Sequence, residues 1–389
     1  MRVDDQKMLN PTILDQPSKI KEIDSSHMLE ACERTPYFCN DAFTQARKIE
    51  IPEKVQISNR LTINYKTPRN IIIEGMGGSD VGGEILRDWL TSRVSIPINV
   101  SQDYLLPAYA NEDSLVIAVS YSGETEETLS TFIDALKRRC MIVTVSSGGH
   151  LRSFSQKPKL PHIPIPGNLP APRAAIAYTF FPLVALMEKF QIIKNTEEEF
   201  VETLRILRQI SEENSLQTPL EDNKAKTTAS EIGDTTPIVY GFRQYKAVAR
   251  RLKCQFNENS KVPSKFDVFS ELNHNEIVGW EAPKNLTKNL SVILIRDPGE
   301  PSELNLRIEI TKQIVTAKAH KVMEIQAKGK KPLAKIFSTL LVGDFTSIYL
   351  ALLRGVDPTP TKTISHLKEE MKKRFDMTMK FEEEIKKLT

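Results

Sequence analysis

Cysteine is scarce in this chain of 389 residues: Cys32, Cys39, Cys140 and Cys254 are its four, and none falls in the CxxC spacing of a zinc or dithiol site. The expectation is buried or free thiols in a reducing cytoplasm. A dominant charge is missing as well, since 53 Lys and Arg against 50 Asp and Glu leave a net +3. That balance offers no electrostatic footprint for nucleic acid or an acidic membrane, and the N-terminal part shows no DNA-binding helix-turn-helix. With 40% hydrophobic residues, the chain reads as globular, and no apolar run is taken to approach the roughly 20 residues that span a bilayer. The opening Met1-Arg2-Val3-Asp4-Asp5-Gln6 lacks the apolar core of a signal peptide. Two nucleotide signatures also fail. Gly75-Met76-Gly77-Gly78-Ser79-Asp80 carries Asp80 where G-x-G-x-x-G needs its third glycine, and no Walker motif follows.

What is present is a pair of hydroxyl-rich turns, each at the end of a hydrophobic strand. The first runs Ile71-Ile72-Ile73-Glu74-Gly75-Met76-Gly77-Gly78-Ser79, the second Leu115-Val116-Ile117-Ala118-Val119-Ser120-Tyr121-Ser122-Gly123-Glu124-Thr125. A β-branched strand ending in glycine and serine at a helix start builds an anion pocket: glycine lets the backbone approach, free N–H groups point outward, and hydroxyls add donors. Taken singly, Gly77, Gly78 and Ser79 read equally well as a tight turn without a ligand. Ser120, Ser122 and Thr125 read alternatively as an elaborate helix cap. Two such turns so close together favour one pocket for a phosphorylated small molecule.

Around these turns the pattern alternates strand and helix, which predicts an α/β fold with a parallel doubly wound sheet. Residues 1–60 read as an N-terminal helical extension. A first α/β domain follows over 61–212, with six prolines in 157–172 marking a surface crossing. Residues 211–226 are polar and mark a boundary, and a second copy of the architecture spans 227–368. Residues 369–389, rich in Lys and Glu, read as a charged, solvated C-terminal helix.

Further stretches narrow the reading. Ala171-Pro172-Arg173-Ala174-Ala175, Gln255-Phe256-Asn257-Glu258-Asn259-Ser260-Lys261, Glu271-Leu272-Asn273-His274-Asn275-Glu276 and Arg354-Gly355-Val356-Asp357-Pro358-Thr359-Pro360, with the two turns, resemble the bifunctional phosphoglucose/phosphomannose isomerases of the sugar isomerase (SIS) fold. The resemblance implies two SIS-type αβα sandwiches and an isomerase without cofactor or metal. It implies interconversion of glucose 6-phosphate and fructose 6-phosphate, with mannose 6-phosphate as second substrate. It makes Glu258 the base that shuttles a proton between C2 and C1, and Arg173 the cation beside the enediolate. His274 becomes the ring-opening group, contributed across a homodimer interface, with Glu271 and Glu276 flanking it as candidate orienting groups. Lys368 assists ring opening, although Lys362 and Lys372 lie nearby, and Thr361 is the small residue admitting a mannose-configured substrate. Gly77, Gly78, Ser79, Ser120, Ser122 and Thr125 hold the phosphate. Two other readings use the same fold: a phosphosugar-binding regulator, and an isomerase of another phosphosugar.

Overall fold

The computed structural model describes residues 9–388; residues 1–6, read above as lacking an apolar leader core, lie outside them. The chain forms two compact units, each made of two separated stretches: Tyr37–Glu197 with Thr361–Thr389, and Met1–Pro36 with Glu198–Pro360.

In the first unit an antiparallel hairpin, β1 (Lys54–Ser58) and β2 (Leu61–Asn64), precedes a five-stranded parallel sheet. Its strands are β3 (Asn70–Glu74), β4 (Ile98–Ser101), β5 (Ser114–Ser120), β6 (Met141–Ser146) and β7 (His162–Pro164), in the order β4-β3-β5-β6-β7. β5 and β6 are buried at every position. A strand covered on both faces has no wet side, so its sequence is a continuous apolar run rather than an alternating one. Because β3 pairs with β4 on one side and β5 on the other, the connections leaving the two strands diverge. The crevice beyond the carboxyl ends of β3 and β5 is where such sheets bind ligands, and both hydroxyl-rich turns stand there.

The C-terminal region differs from the expected single solvated helix. It forms two helices, Lys362–Arg374 and Thr378–Leu388. Met377, Phe381 and Ile385 enter the core formed by Leu129, Ile133 and Phe154, and Lys137 reaches Glu384 at 2.7 Å. Each buried apolar side chain contributes about 1.5–3 kcal/mol. The many Lys and Glu residues occupy the other faces of this helix.

In the second unit the parallel strands are β8 (Thr236–Phe242), β9 (Lys265–Phe269), β10 (Leu290–Arg296) and β11 (Lys321–Gln326), in the order β11-β10-β8-β9. The first strand again sits between the second and the third, so the topology of the first sheet recurs without its fifth strand. The helix Pro332–Leu353 is long and apolar enough to cross a membrane by length and composition, which corrects the expectation that no stretch approached that length. Its 18-residue apolar window is buried in this unit. Its Asp344 accepts two hydrogen bonds from Arg251, at 3.0 and 2.7 Å, and one from Gln255 at 2.9 Å.

The unit boundaries depart from the expected ones. Helix Glu197–Glu213, expected in the first domain, groups with the second because its acids serve the start of Pro332–Leu353. Glu199 accepts from Leu333 N at 2.7 Å, and Glu202 accepts from Lys330 N and Lys331 N at 2.6 and 3.1 Å. The expected extension of residues 1–60 is likewise divided. Glu33 accepts from Leu216 N at 2.8 Å in one unit, while Asp41 accepts from Tyr178 Oη at 2.9 Å in the other.

Candidate active site

β3 ends in Glu74 and gives way to a short 3-10 turn, Gly77–Ser79, and the helix Val81–Leu90. Gly78 has no room for a side chain: a Cβ there would lie 3.1 Å from the backbone N and Cα of Arg173. That close approach seats the 3-10 turn Pro172–Ala175 against the glycine turn. Arg173 is buried, so it is not the surface arginine that a proline-rich loop would otherwise carry. Ser79 is buried as well, and its Oγ accepts from Tyr121 N at 3.1 Å, which links the first turn to the second.

In the second turn Ser120 Oγ and Thr125 Oγ1 lie 2.8 Å apart, Gly123 N donates to Ser120 Oγ at 3.0 Å, and Glu124 N donates to Ser122 Oγ at 3.2 Å. Thr125 is the N-cap of helix Glu126–Lys137, yet its side chain makes no capping hydrogen bond. The hydroxyls shape the loop and leave the first-turn N–H groups of that helix uncapped, which is the arrangement an oxyanion occupies. Gly123, at φ +75°, is obligatory: a Cβ would lie 2.0 Å from Gly148 O.

That contact brings in a third turn, which the sequence reading did not single out. β6 runs into Ser146-Ser147-Gly148-Gly149, the same strand-to-serine-and-glycine pattern. Ser147 donates to Tyr121 O through both N and Oγ, at 3.0 and 2.6 Å. Tyr121 Oη accepts from Leu169 N at 3.1 Å, and His150 Nδ1 lies 2.6 Å from Glu124 Oε2. Three adjacent strands therefore end in interlocked turns, and the crevice is stiff before any ligand arrives.

Glu74 is a second residue that the sequence reading left aside. It is fully buried at the end of β3, and its Oε1 has no hydrogen-bond partner. Burial pushes its carboxyl up to about 7, the Asp103 charge adds to this, and the Ser101 and Thr131 hydroxyls pull the other way.

The second unit carries Glu258 and His274. Glu258 is the last residue of helix Lys246–Glu258. The residues around it are anchors: Asn259 Nδ2 donates to Ser347 Oγ at 2.9 Å, Ser260 Oγ to Ser347 O at 2.6 Å, and Lys261 Nζ to the backbone carbonyls of Glu258 and Pro358 at 2.5 and 3.0 Å. His274 ends the 3-10 turn Glu271–His274 and is exposed. Its flanking acids do not orient it. Glu271 accepts from Asn275 Nδ2 at 2.8 Å, and Glu276 accepts from Tyr240 Oη at 3.2 Å and pairs with Lys265. The helix from β8 runs back along the sheet and leaves Glu258 by the amino end of β9, whereas His274 follows its carboxyl end. The five residues of β9 lie between them in the chain.

Thr361 is the N-cap of helix Lys362–Arg374, and Lys368 stands exposed on that helix, which buries none of its residues. Among the described residues, no hydrogen bond or ion pair ties Lys368 to the serine turns.

Among known families, the bacterial phospho-glucose isomerase C-terminal SIS domain matches residues 221–371. A bifunctional phosphoglucose/phosphomannose isomerase of Caldicellulosiruptor bescii is 38% identical over 328 residues, covering 82% of this chain and 96% of that protein. One from Aquifex aeolicus is 32% identical over 308 residues, 78% of this chain and 91% of that protein. A solved hypothetical protein from Thermus thermophilus shares the fold, with a TM-score of 0.68 at 14% identity over 94% of this chain and 96% of its own. The chain belongs to the family of bifunctional phosphoglucose/phosphomannose isomerases.

Proposed function

We propose that the chain interconverts glucose 6-phosphate and fructose 6-phosphate, and mannose 6-phosphate and fructose 6-phosphate, by proton transfer through a cis-enediolate. The observation that carries the site reading is the seating of the buried Arg173 backbone against Gly78, because it fixes the arginine beside the glycine turn of the phosphate-type crevice. The uncapped start of helix Glu126–Lys137, with Ser79, Ser120, Ser122 and Thr125, holds the phosphate. His274, with Lys368, opens the ring: the O1 proton leaves, the C1–O5 bond breaks, and a proton reaches O5. Glu258 removes the C2 proton and returns it to C1, while the hydroxyl proton passes from O2 to O1, so that C2 becomes the carbonyl and C1 the alcohol carbon. The electron pair left behind rests as an enediolate whose negative oxygen faces the Arg173 guanidinium. Thr361 leaves space for the epimeric C2 hydroxyl of mannose.

The strand β9 runs between Glu258 and His274, which supports reading the reaction centre as drawing them from two copies. The active species is accordingly a homodimer, with His274 crossing to the partner. The test is a coupled assay for fructose 6-phosphate formation by Glu258→Ala, alongside calorimetric binding of the phosphosugar. Retained binding with turnover lost by at least about a thousandfold is expected; wild-type turnover would remove Glu258 from its role.

A further inference from the structure

The helix Ser302–Thr316 is apolar on two sides. Leu304, Ile308 and Val315 are buried in its own unit. Its charged residues on the third side are engaged, Glu309 with Arg296 at 2.5 Å and Lys312 with Glu324 at 2.8 Å. What remains is Leu306, Ile310 and Ile314, spaced by four, with 61%, 48% and 42% of their surface exposed. A surface helix of a self-sufficient monomer puts polar residues along such a stripe. Val278, also exposed, lies on the 3-10 turn Glu276–Glu281 that packs against this helix.

The stripe is symmetric about Ile310. Two copies of the helix laid antiparallel across a two-fold axis place Ile310 on Ile310, Leu306 on Ile314, and Arg307 on Gln313, as an isologous contact requires. Glu303 stands at one end of the stripe and Lys318 in the turn just beyond the other, so each copy offers opposite charges at its two ends. Two such i, i+4 ridges interdigitate at about −50°, which keeps Ile310 on the axis and Leu306 beside Ile314. The apolar pattern and the end charges thus fit the same face of a second copy.

The back of this helix touches the His274 turn: Asn273 Nδ2 donates to Thr311 Oγ1 at 2.8 Å. A copy docked on the stripe therefore lies across this one helix, about 10 Å wide, from the turn that carries His274.

We infer that helix Ser302–Thr316 is the two-fold seam between copies of this chain, centred on Ile310. The inference rests on the proposed dimeric reading and assigns the surface that makes it. Sedimentation of the full chain tests it. Ile310→Glu sets two carboxylates on the axis and is expected to reduce the wild-type dimer to the 44.1 kDa chain mass with an unchanged circular dichroism spectrum. Leu306→Lys and Ile314→Glu each weaken the dimer at least tenfold, and combined they restore it, since Lys at 306 then meets Glu at 314 of the other copy twice. Restoration excludes simple misfolding. A wild-type dimer that survives Ile310→Glu overturns the seam while leaving the dimeric reading intact; a wild-type monomer with full activity overturns both. Monomeric Ile310→Glu with full activity keeps the seam and removes His274 from the shared site.

Discussion

Glu74 gives the sharpest quantitative test. A carboxyl lifted from its ordinary 4.5 to about 7 represents about 3 kcal/mol of unfavourable burial once ionised. Between these two values the folded chain keeps a proton that the unfolded chain has released. Stability therefore falls as pH rises through that window, and it levels off above about 7. Glu74→Gln keeps the shape and removes the titration. Any misfit of the new amide adds the same amount at every pH, so the informative quantity is how the effect of the substitution changes with pH. From the two values, the variant gains about 2.5 kcal/mol on wild type between pH 5 and pH 8. The assay is urea unfolding followed by tryptophan fluorescence. There are only two tryptophans, and Trp89 lies in the same unit as Glu74 while Trp280 lies in the other. A Trp280→Phe background for both proteins thus reports the right unit. A change under about 0.5 kcal/mol between the two pH values would mean that Glu74 is not held as a buried acid, and the reasoning would be wrong.

Two further substitutions probe the crevice and its support. Gly123→Ala drives a Cβ into Gly148 O at φ +75° and is expected to cost about 2–4 kcal/mol and to weaken phosphosugar binding at least tenfold. Gly77→Ala, at φ +57° with nothing within 4 Å of its Cβ, bears only backbone strain, about 1–2 kcal/mol. Equal effects in thermal shift and calorimetry would contradict the close packing of the second and third turns. Phe381→Ala opens a cavity in the first unit and is expected to cost about 3–5 kcal/mol, while Met379→Ala, on the exposed face of the same helix, leaves the urea midpoint unchanged.

The sheet strands and the two turns at the crevice are legible because burial on both faces writes itself as an unbroken β-branched run, and strand ends carry glycine and serine. The third turn carries the same signature at Ser146-Ser147-Gly148-Gly149. It escapes notice because its partner, Gly123, lies on another strand, and their contact depends on strand order. The C-terminal helix misleads for a different reason. Lys and Glu dominate its composition, yet Met377, Phe381 and Ile385 repeat at four-residue spacing, and periodicity outweighs composition when a helix packs. Glu74 is hidden inside an apolar run, where only coordinates reveal the missing partner of its carboxylate. The unit boundaries are least legible, since periodicity is local and says nothing of which distant segments share a core.

The docking of Met377, Phe381 and Ile385 on Leu129, Ile133 and Phe154 also sets an order of events during synthesis. A unit opened at Tyr37 has its continuous stretch complete at Glu197, but its missing wedge emerges about 180 residues later, roughly 10–40 s at ~5–20 residues per second on the ribosome. For that interval the helices that carry Leu129, Ile133 and Phe154 present an uncovered apolar strip, so the chaperone demand of this chain falls in mid-translation. A stop codon near residue 376 would leave the strip bare permanently.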